Sequence, residues 1–344
     1  MAEKKTDNLK VLRGEIECGE PSTLYVFHGE ERYLLEYWLG ELKKKLVPEG
    51  FEEFNLFAFD GGGLSFDTLQ TAAEALPVFS EYKLVIVTDL NLYKPPADMK
   101  APLEELLSDI PDGTVLVFIY DVVEFKPDAR TAMHKLLQKH ALTVEFQLQD
   151  VRELVAWLKR RFRALSKIID SGEAEHMLFV CGHSMTTLTL EVEKVAAYSA
   201  TEKIAKSDID AVCEPVIDAV VYNLTDAAAQ GRYDLALSLL KDLTSAKNEP
   251  IVILAALGRQ FRQLFAARVA TDERRGEKFF SEVAGIRTPF IARKLIDMAS
   301  RLTTDWCAEA VTLCAECDYA LKRSSSDRSS LLEMLLLRLA ALRQ

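Results

Sequence analysis

The first place to look for chemistry is the segment Leu24-Tyr25-Val26-Phe27-His28-Gly29-Glu30-Glu31-Arg32-Tyr33-Leu34-Leu35-Glu36. An apolar strand, a glycine turn and a helix in that order could cradle phosphate, because N–H groups at a helix start attract anions. A phosphate loop opening at Gly29 needs glycine at 34, lysine at 35 and serine or threonine at 36. The chain has Leu34, Leu35 and Glu36 there. Glu30 and Glu31 set carboxylates at the helix start, satisfying the dipole that phosphate would otherwise meet. The expectation is a turn that neither binds nor hydrolyses nucleotide, and no cofactor. Asp89 stands behind a later apolar run, where a magnesium-binding carboxylate could lie. Without the lysine loop, a turn or cap role is expected of it.

Other chemistries find little support. Cys307, Cys314 and Cys317 line one face of a helical pattern, but a lone C-x-x-C with no second pair is a poor zinc signal, and buried structural thiols are expected. The five histidines fall at 28, 134, 140, 176 and 183 and form no H-E-x-x-H spacing. No G-x-S-x-G elbow occurs, and Gly61-Gly62-Gly63 reads as a turn. No intrinsic catalysis is expected. Basic residues cluster at Lys159-Arg160-Arg161-Arg163-Lys167, either as a solvated helix face or as a contact for nucleic acid or an acidic partner. Lys322-Arg323, before Ser324-Ser325-Ser326, could meet phosphate or simply complement a helix end. The segment Leu76-Pro77-Val78-Phe79-Ser80-Glu81 resists assignment to a core. Pro77 breaks the preceding helix, leaving Val78 and Phe79 in a turn, either as a plug over the sheet end or as an exposed binding anchor.

The elements that must position these residues follow from periodicity. Apolar runs at Leu24–His28, Phe54–Phe59, Leu84–Thr88, Val115–Ile119 and Leu142–Phe146 are near-continuous, as in strands buried on both faces of a parallel sheet. Helical patterns between them, such as Tyr33–Leu46 and Phe66–Ala75, supply the crossovers, so residues 1–147 read as a doubly wound α/β domain. Helical patterns at Val151–Leu165, Glu173–Cys181 and Leu188–Ser199 place a small helical domain at 148–212. Residues 213–344 show 3.6-residue periodicity with short connections, which predicts an antiparallel helical bundle, with Gly231 at a helix end. The 344 residues suffice for two or three such domains.

Charge narrows the partners. The net charge is −11, which argues against a protein that holds DNA by a basic surface alone. Residues 215–344 carry 18 basic and 16 acidic side chains, making that third the less repulsive for an anion. The polar start Met1-Ala2-Glu3-Lys4-Lys5 lacks a signal-peptide core. The apolar tract Leu331–Leu342 is interrupted by Glu333 and Arg338 and is too short for a membrane. A cytoplasmic protein with no membrane partner is expected.

Taken in order, several segments resemble the delta subunit of the bacterial DNA polymerase III clamp loader. They are Tyr25–Glu31, Leu76-Pro77-Val78-Phe79-Ser80-Glu81 through Val87, Leu190–Tyr198, Asp226–Gly231 with Ala236–Leu240, Gly258–Leu264 and Asp318–Lys322. The resemblance implies an AAA+-like α/β domain with a degenerate phosphate loop (1–147), a helical lid (148–212) and a helical collar (213–344). It further implies a subunit without ATPase activity that takes part in DNA replication by binding and opening the beta sliding clamp. Its collar would join tau/gamma and delta prime, and primer–template DNA would be met within the complex. By carry-over, Val78 and Phe79 form the clamp-binding wedge, with Leu76 and Pro77 supporting it. Lys159, Arg160, Arg161, Lys322 and Arg323 remain candidates for DNA or partner contacts. Two other functions compete: an active AAA+ P-loop ATPase, and a helical scaffold for replication or repair proteins that touches no clamp.

Overall fold

In a computed structural model, which describes residues 8–286, 289–323 and 328–342, the chain forms two compact units, Met1–Gln149 and Asp150–Gln344. The first runs α1 (Asn8–Cys18), β1 (Leu24–His28), α2 (Arg32–Leu46), α3 (Glu52–Asn55), β2 (Leu56–Asp60), α4 (Phe66–Glu74), β3 (Lys83–Thr88), α5 (Lys100–Ser108), β4 (Thr114–Ile119), α6 (Ala132–His140) and β5 (Leu142–Glu145). Its strands pair in parallel in the order β2-β3-β4-β1-β5. Side chains alternate between the faces. Leu24, Val26, Val85, Val87, Leu116 and Phe118 share one core with Leu69 of α4 and Leu103 of α5. Tyr25, Phe27, Leu84, Ile86, Val115 and Val117 share the other with Leu12 of α1 and Leu42 of α2. Two covered faces explain the unbroken apolar runs of β1, β3 and β4.

Two boundaries depart from the sequence pattern. The run expected as a strand from Phe54 spends its first two residues in α3, and β2 starts at Leu56. Asn55 is fully buried, with its side chain committed to a loop contact described below, so strand pairing cannot start there. Helix α1 lies in a stretch with no strong periodicity because Leu12 is its one buried residue.

The second unit holds α7 (Val151–Ala164), α8 (Ser171–Cys181), α9 (Met185–Tyr198), α10 (Lys206–Val212), α11 (Ile217–Ala229), α12 (Tyr233–Ser245), α13 (Pro250–Asp272), α14 (Glu277–Ala284), α15 (Pro289–Ser300), α16 (Thr304–Arg323) and α17 (Arg328–Ala341). A capping box starts α7: Asp150 accepts from the Glu153 N–H, and Glu153 accepts in return from the Asp150 N–H. Helices α11 to α17 share one core that includes Leu224, Leu257, Phe261, Leu313 and Leu336. Gly231, at φ 77°, ends α11. The N–H of Arg232 bonds the Ala227 carbonyl and the N–H of Gly231 bonds that of Ala228, the double closure a left-handed residue permits. Cys307, Cys314 and Cys317 are buried in this core, and burial pushes the Cys307 thiol up to about 11. No helix among the described residues is long and apolar enough to cross a membrane.

Candidate functional site

Between α4 and β3 the chain makes a short loop that turns apolar side chains outward. Helix α4 stops because Ala75 is extended and Pro77 cannot continue the ladder. Beyond that break Leu76 is 81% exposed and Phe79 is 85% exposed. Phe79 also sits at φ 51°, a left-handed conformation rare for a bulky residue and costing about 1–2 kcal/mol. Val78, between them, is half-buried. The outward pair is therefore Leu76 and Phe79, whereas the carry-over paired Val78 with Phe79. Val78 turns partly inward because its backbone is tied down.

The tie is Asn55. Its Nδ2 donates to the Val78 carbonyl at 2.8 Å, and its Oδ1 accepts from the Val78 N–H at 2.7 Å. One side-chain amide thus satisfies both backbone groups of a residue 23 positions away. Further anchors follow. The Ser80 hydroxyl donates to the Leu46 carbonyl at 3.1 Å, and the Phe51 ring lies 5.3 Å from that of Phe79. At the far end Lys83 is fully buried, and its Nζ donates to the carbonyls of Ala73 (2.9 Å) and Ala75. Thr114 Oγ1 also donates to Ala73 at 2.9 Å. Carbonyls at the end of α4, which lack helical partners, are thus capped by side chains from two strands. The loop is held at its start, middle and end.

Burial pushes the Lys83 ammonium down to about 8 from its ordinary 10.5. Between those values the unfolded chain holds a proton that the folded chain has released, so stability rises with pH across that window. Below about 8 both states are protonated, and the cost of burying the charge is paid in full. Wild-type stability, measured by urea unfolding at pH 7.5 and 9.5, should therefore rise by about 1–2 kcal/mol relative to Lys83→Met, which has no such proton to release.

The turn after β1 is filled by the protein itself. Gly29 has φ 127°, and a Cβ there would meet the Phe146 carbonyl oxygen at 2.3 Å. That approach lets the Phe146 N–H donate to the His28 carbonyl (2.7 Å) and the Glu31 N–H donate to the Phe146 carbonyl (2.9 Å). Glu31 caps α2, accepting from the Tyr33 N–H at 3.3 Å, and burial raises its pKa. The Arg32 guanidinium pairs with Asp121 and reaches the Tyr120 carbonyl at 3.4 Å. Groups that would face a phosphate are spent on a carbonyl and a carboxylate of the chain. Asp89 is likewise occupied: at φ 61° its Oδ1 accepts from the N–H groups of Asp121 (2.8 Å), Val122 (3.0 Å) and Val123 (2.9 Å). It caps the loop after β4, as its turn reading predicts.

The basic candidates are largely engaged by neighbours. Lys159 donates to Ser171 Oγ at 2.7 Å, Arg161 lies 3.9 Å from Glu193 and over the Trp157 ring, and Lys167 donates to the carbonyls of Ser199 and Thr201. Arg160 and Arg163 are exposed on α7. Lys322 pairs with Asp318 at 2.6 Å, and Arg323 stacks on Tyr319. Ser324, Ser325 and Ser326 lie outside the described residues. Lys159, Arg160 and Arg161 lie on α7, whereas Lys322 and Arg323 end α16. Sequence reasoning missed Asn55 and Lys83; the available signals were a polar residue inside Phe54-Asn55-Leu56-Phe57 and a lysine opening the apolar run of β3.

Comparisons with known proteins converge on one family. A family model described as "DNA polymerase III, delta subunit" matches residues 25–147, and one described as "DNA polymerase III delta subunit, C-terminal domain" matches 218–339. The chain is 24% identical over 330 residues to DNA polymerase III subunit delta of Bacillus subtilis, covering 93% of this chain and 94% of that relative. It is 19% identical over 236 residues to DNA polymerase III subunit delta of Escherichia coli, covering 69% and 68% respectively. Its fold is similar to the solved structure of the Bacillus subtilis DNA clamp loader delta protein, with a TM-score of 0.57 at 24% identity, covering 97% of this chain and 99% of the other.

Proposed function

Because the chain belongs to the delta-subunit family of DNA polymerase III, a clamp-loader component, we propose that it binds the beta sliding clamp through the loop Leu76-Pro77-Val78-Phe79 and favours the clamp's open form. The observation that carries this reading is Phe79: an aromatic side chain 85% exposed, on strained backbone that the fold holds in place. An exposed aromatic on a rigid support is suited to fill a pocket, because little ordering entropy is lost on binding. Pocket-filling aromatics are typical anchors of binding energy. Opening follows if the pocket is better shaped in the open clamp, since only a difference in affinity between two states shifts their balance. Leu76 widens the apolar contact, and Val78 sets the spacing between the two exposed side chains.

The remaining parts take the roles of a passive subunit. The α/β domain (1–147) presents the wedge, the lid (148–212) connects it, and the collar (213–344) joins tau/gamma and delta prime in the assembly that meets primer–template DNA. No ATP hydrolysis is assigned to this chain. Its contribution to the polymerase is as a holoenzyme subunit in DNA replication in the cytoplasm. What supports this is the start of α2, where Glu31 and Phe146 occupy the phosphate-binding groups. Magnesium–ATP at 1 mM should leave the melting temperature of the purified chain unchanged, because only a ligand that binds the folded state raises it. A rise of several degrees would instead favour the active P-loop reading. The direct test is binding of the purified chain to its cognate clamp, with and without Phe79. Absent binding to an active clamp would leave the helical scaffold as the better reading.

A further inference from the structure

We propose that Cys181, Glu191 and Cys213 form a binding site for a thiophilic divalent cation, with zinc the best match. Cys181 closes α8, Glu191 lies mid-way along α9, and Cys213 caps α10. All three are buried, and their sulfurs and a carboxylate oxygen lie within 4.8 Å of one another. This donor set is far apart in sequence and was not singled out by spacing.

A second observation points to a ligand. Glu191 is 7% exposed, and its two oxygens are treated differently. Oε1 accepts from Lys194 Nζ at 2.7 Å, whereas Oε2 is buried without a nitrogen or oxygen donor, and the Cys213 thiol is the other group that the carboxylate meets. A buried carboxylate oxygen without a nitrogen or oxygen donor is costly, so it calls for an explanation such as an ion. Lys194 also donates to the Val212 carbonyl at 3.4 Å, next to Cys213. It thereby orients one ligand directly and the backbone beside another, the usual role of partners behind metal ligands.

The chemistry of the set suits zinc. Two thiolates and one carboxylate carry three negative charges; a divalent cation and the Lys194 ammonium balance them. Zinc bonds of about 2.3 Å to sulfur and about 2.0–2.2 Å to oxygen put tetrahedral donors about 3.3–3.8 Å apart. Donors already within 4.8 Å need shifts of about 1 Å or less to close. Each thiol releases its proton to solvent on binding, and a water takes the fourth position. The ion would join the ends of α8 and α10 to the middle of α9.

The test uses the full chain, reduced and stripped with a chelator, then titrated with cobalt(II) as a coloured substitute for zinc. One equivalent should bind with a thiolate-to-cobalt charge-transfer band of two-sulfur intensity, displaced by zinc. Cys181→Ser and Cys213→Ser should each lose the band, and Glu191→Gln should weaken binding at least 10-fold. Cys317→Ser, in the separate C-x-x-C of α16, should behave as wild type. Should a cysteine variant fail to fold, the near-isosteric Glu191→Gln and the wild-type band still decide. Absence of the band in the folded wild-type chain, or its loss only in Cys317→Ser, overturns the proposal.

Discussion

Phe79→Ala is expected to bind the sliding clamp at least 30-fold more weakly than the wild-type chain while unfolding at the same temperature. The size follows from truncating a central aromatic anchor, worth about 2 kcal/mol or more, which is about a factor of 30 in affinity. The unchanged stability follows from exposure: a side chain 85% open to solvent contributes little to the core. Alanine keeps a Cβ at φ 51°, so the backbone strain is the same in both proteins. Isothermal titration against the cognate clamp, beside Arg163→Ala at an exposed position of α7 as a control, reads the result. Loss confined to Phe79→Ala supports the wedge. Equal binding by both variants would keep the family assignment and move the site elsewhere.

Asn55→Ala should cost about 2–3 kcal/mol of stability and also weaken clamp binding, although Asn55 is fully buried and touches no partner. The stability term has two parts. Two hydrogen bonds to Val78 are lost, each worth about 1 kcal/mol net, and Val78 is left with backbone groups to satisfy. The binding term has a different origin. Without the amide, the loop samples other conformations, and the clamp must select the productive one at reduced apparent affinity. Asn55→Asp separates the two groups: its carboxylate still accepts from the Val78 N–H but cannot donate to the carbonyl while ionised. A double-mutant cycle with Phe79→Ala gives the readout, measured where every variant is folded. If Asn55 acts by positioning Phe79, its effect on binding should vanish once Phe79 is gone. A purely structural Asn55 would leave clamp affinity unchanged.

Legibility differed from place to place for physical reasons. β1, β3 and β4 were readable because burial on two faces forces an unbroken apolar run. The departure from a phosphate-loop pattern is legible because that chemistry demands particular residues at fixed spacing, and Leu34, Leu35 and Glu36 are not those residues. The break at Pro77 was local, and so was visible. Whether Phe79 pointed inward or outward was not, because a plug and an anchor have the same composition. That was decided by Asn55 and Lys83, which act across 23 and 10 residues by hydrogen bonds no periodicity encodes. The same limit hid α3, where an apolar run that reads as strand is diverted by the one polar side chain within it.

The contact between Glu31 and Phe146 carries a consequence for control. On the proposed function, that helix start stays bonded to its own chain rather than to a nucleotide, and this unit keeps no clock. On that reading its grip on the clamp is a constant rather than a cycle. Timing then has to come from outside, by neighbours that cover or uncover Phe79. Outside the assembly nothing covers it, and copy number becomes the regulator: each surplus copy is a standing competitor for clamps.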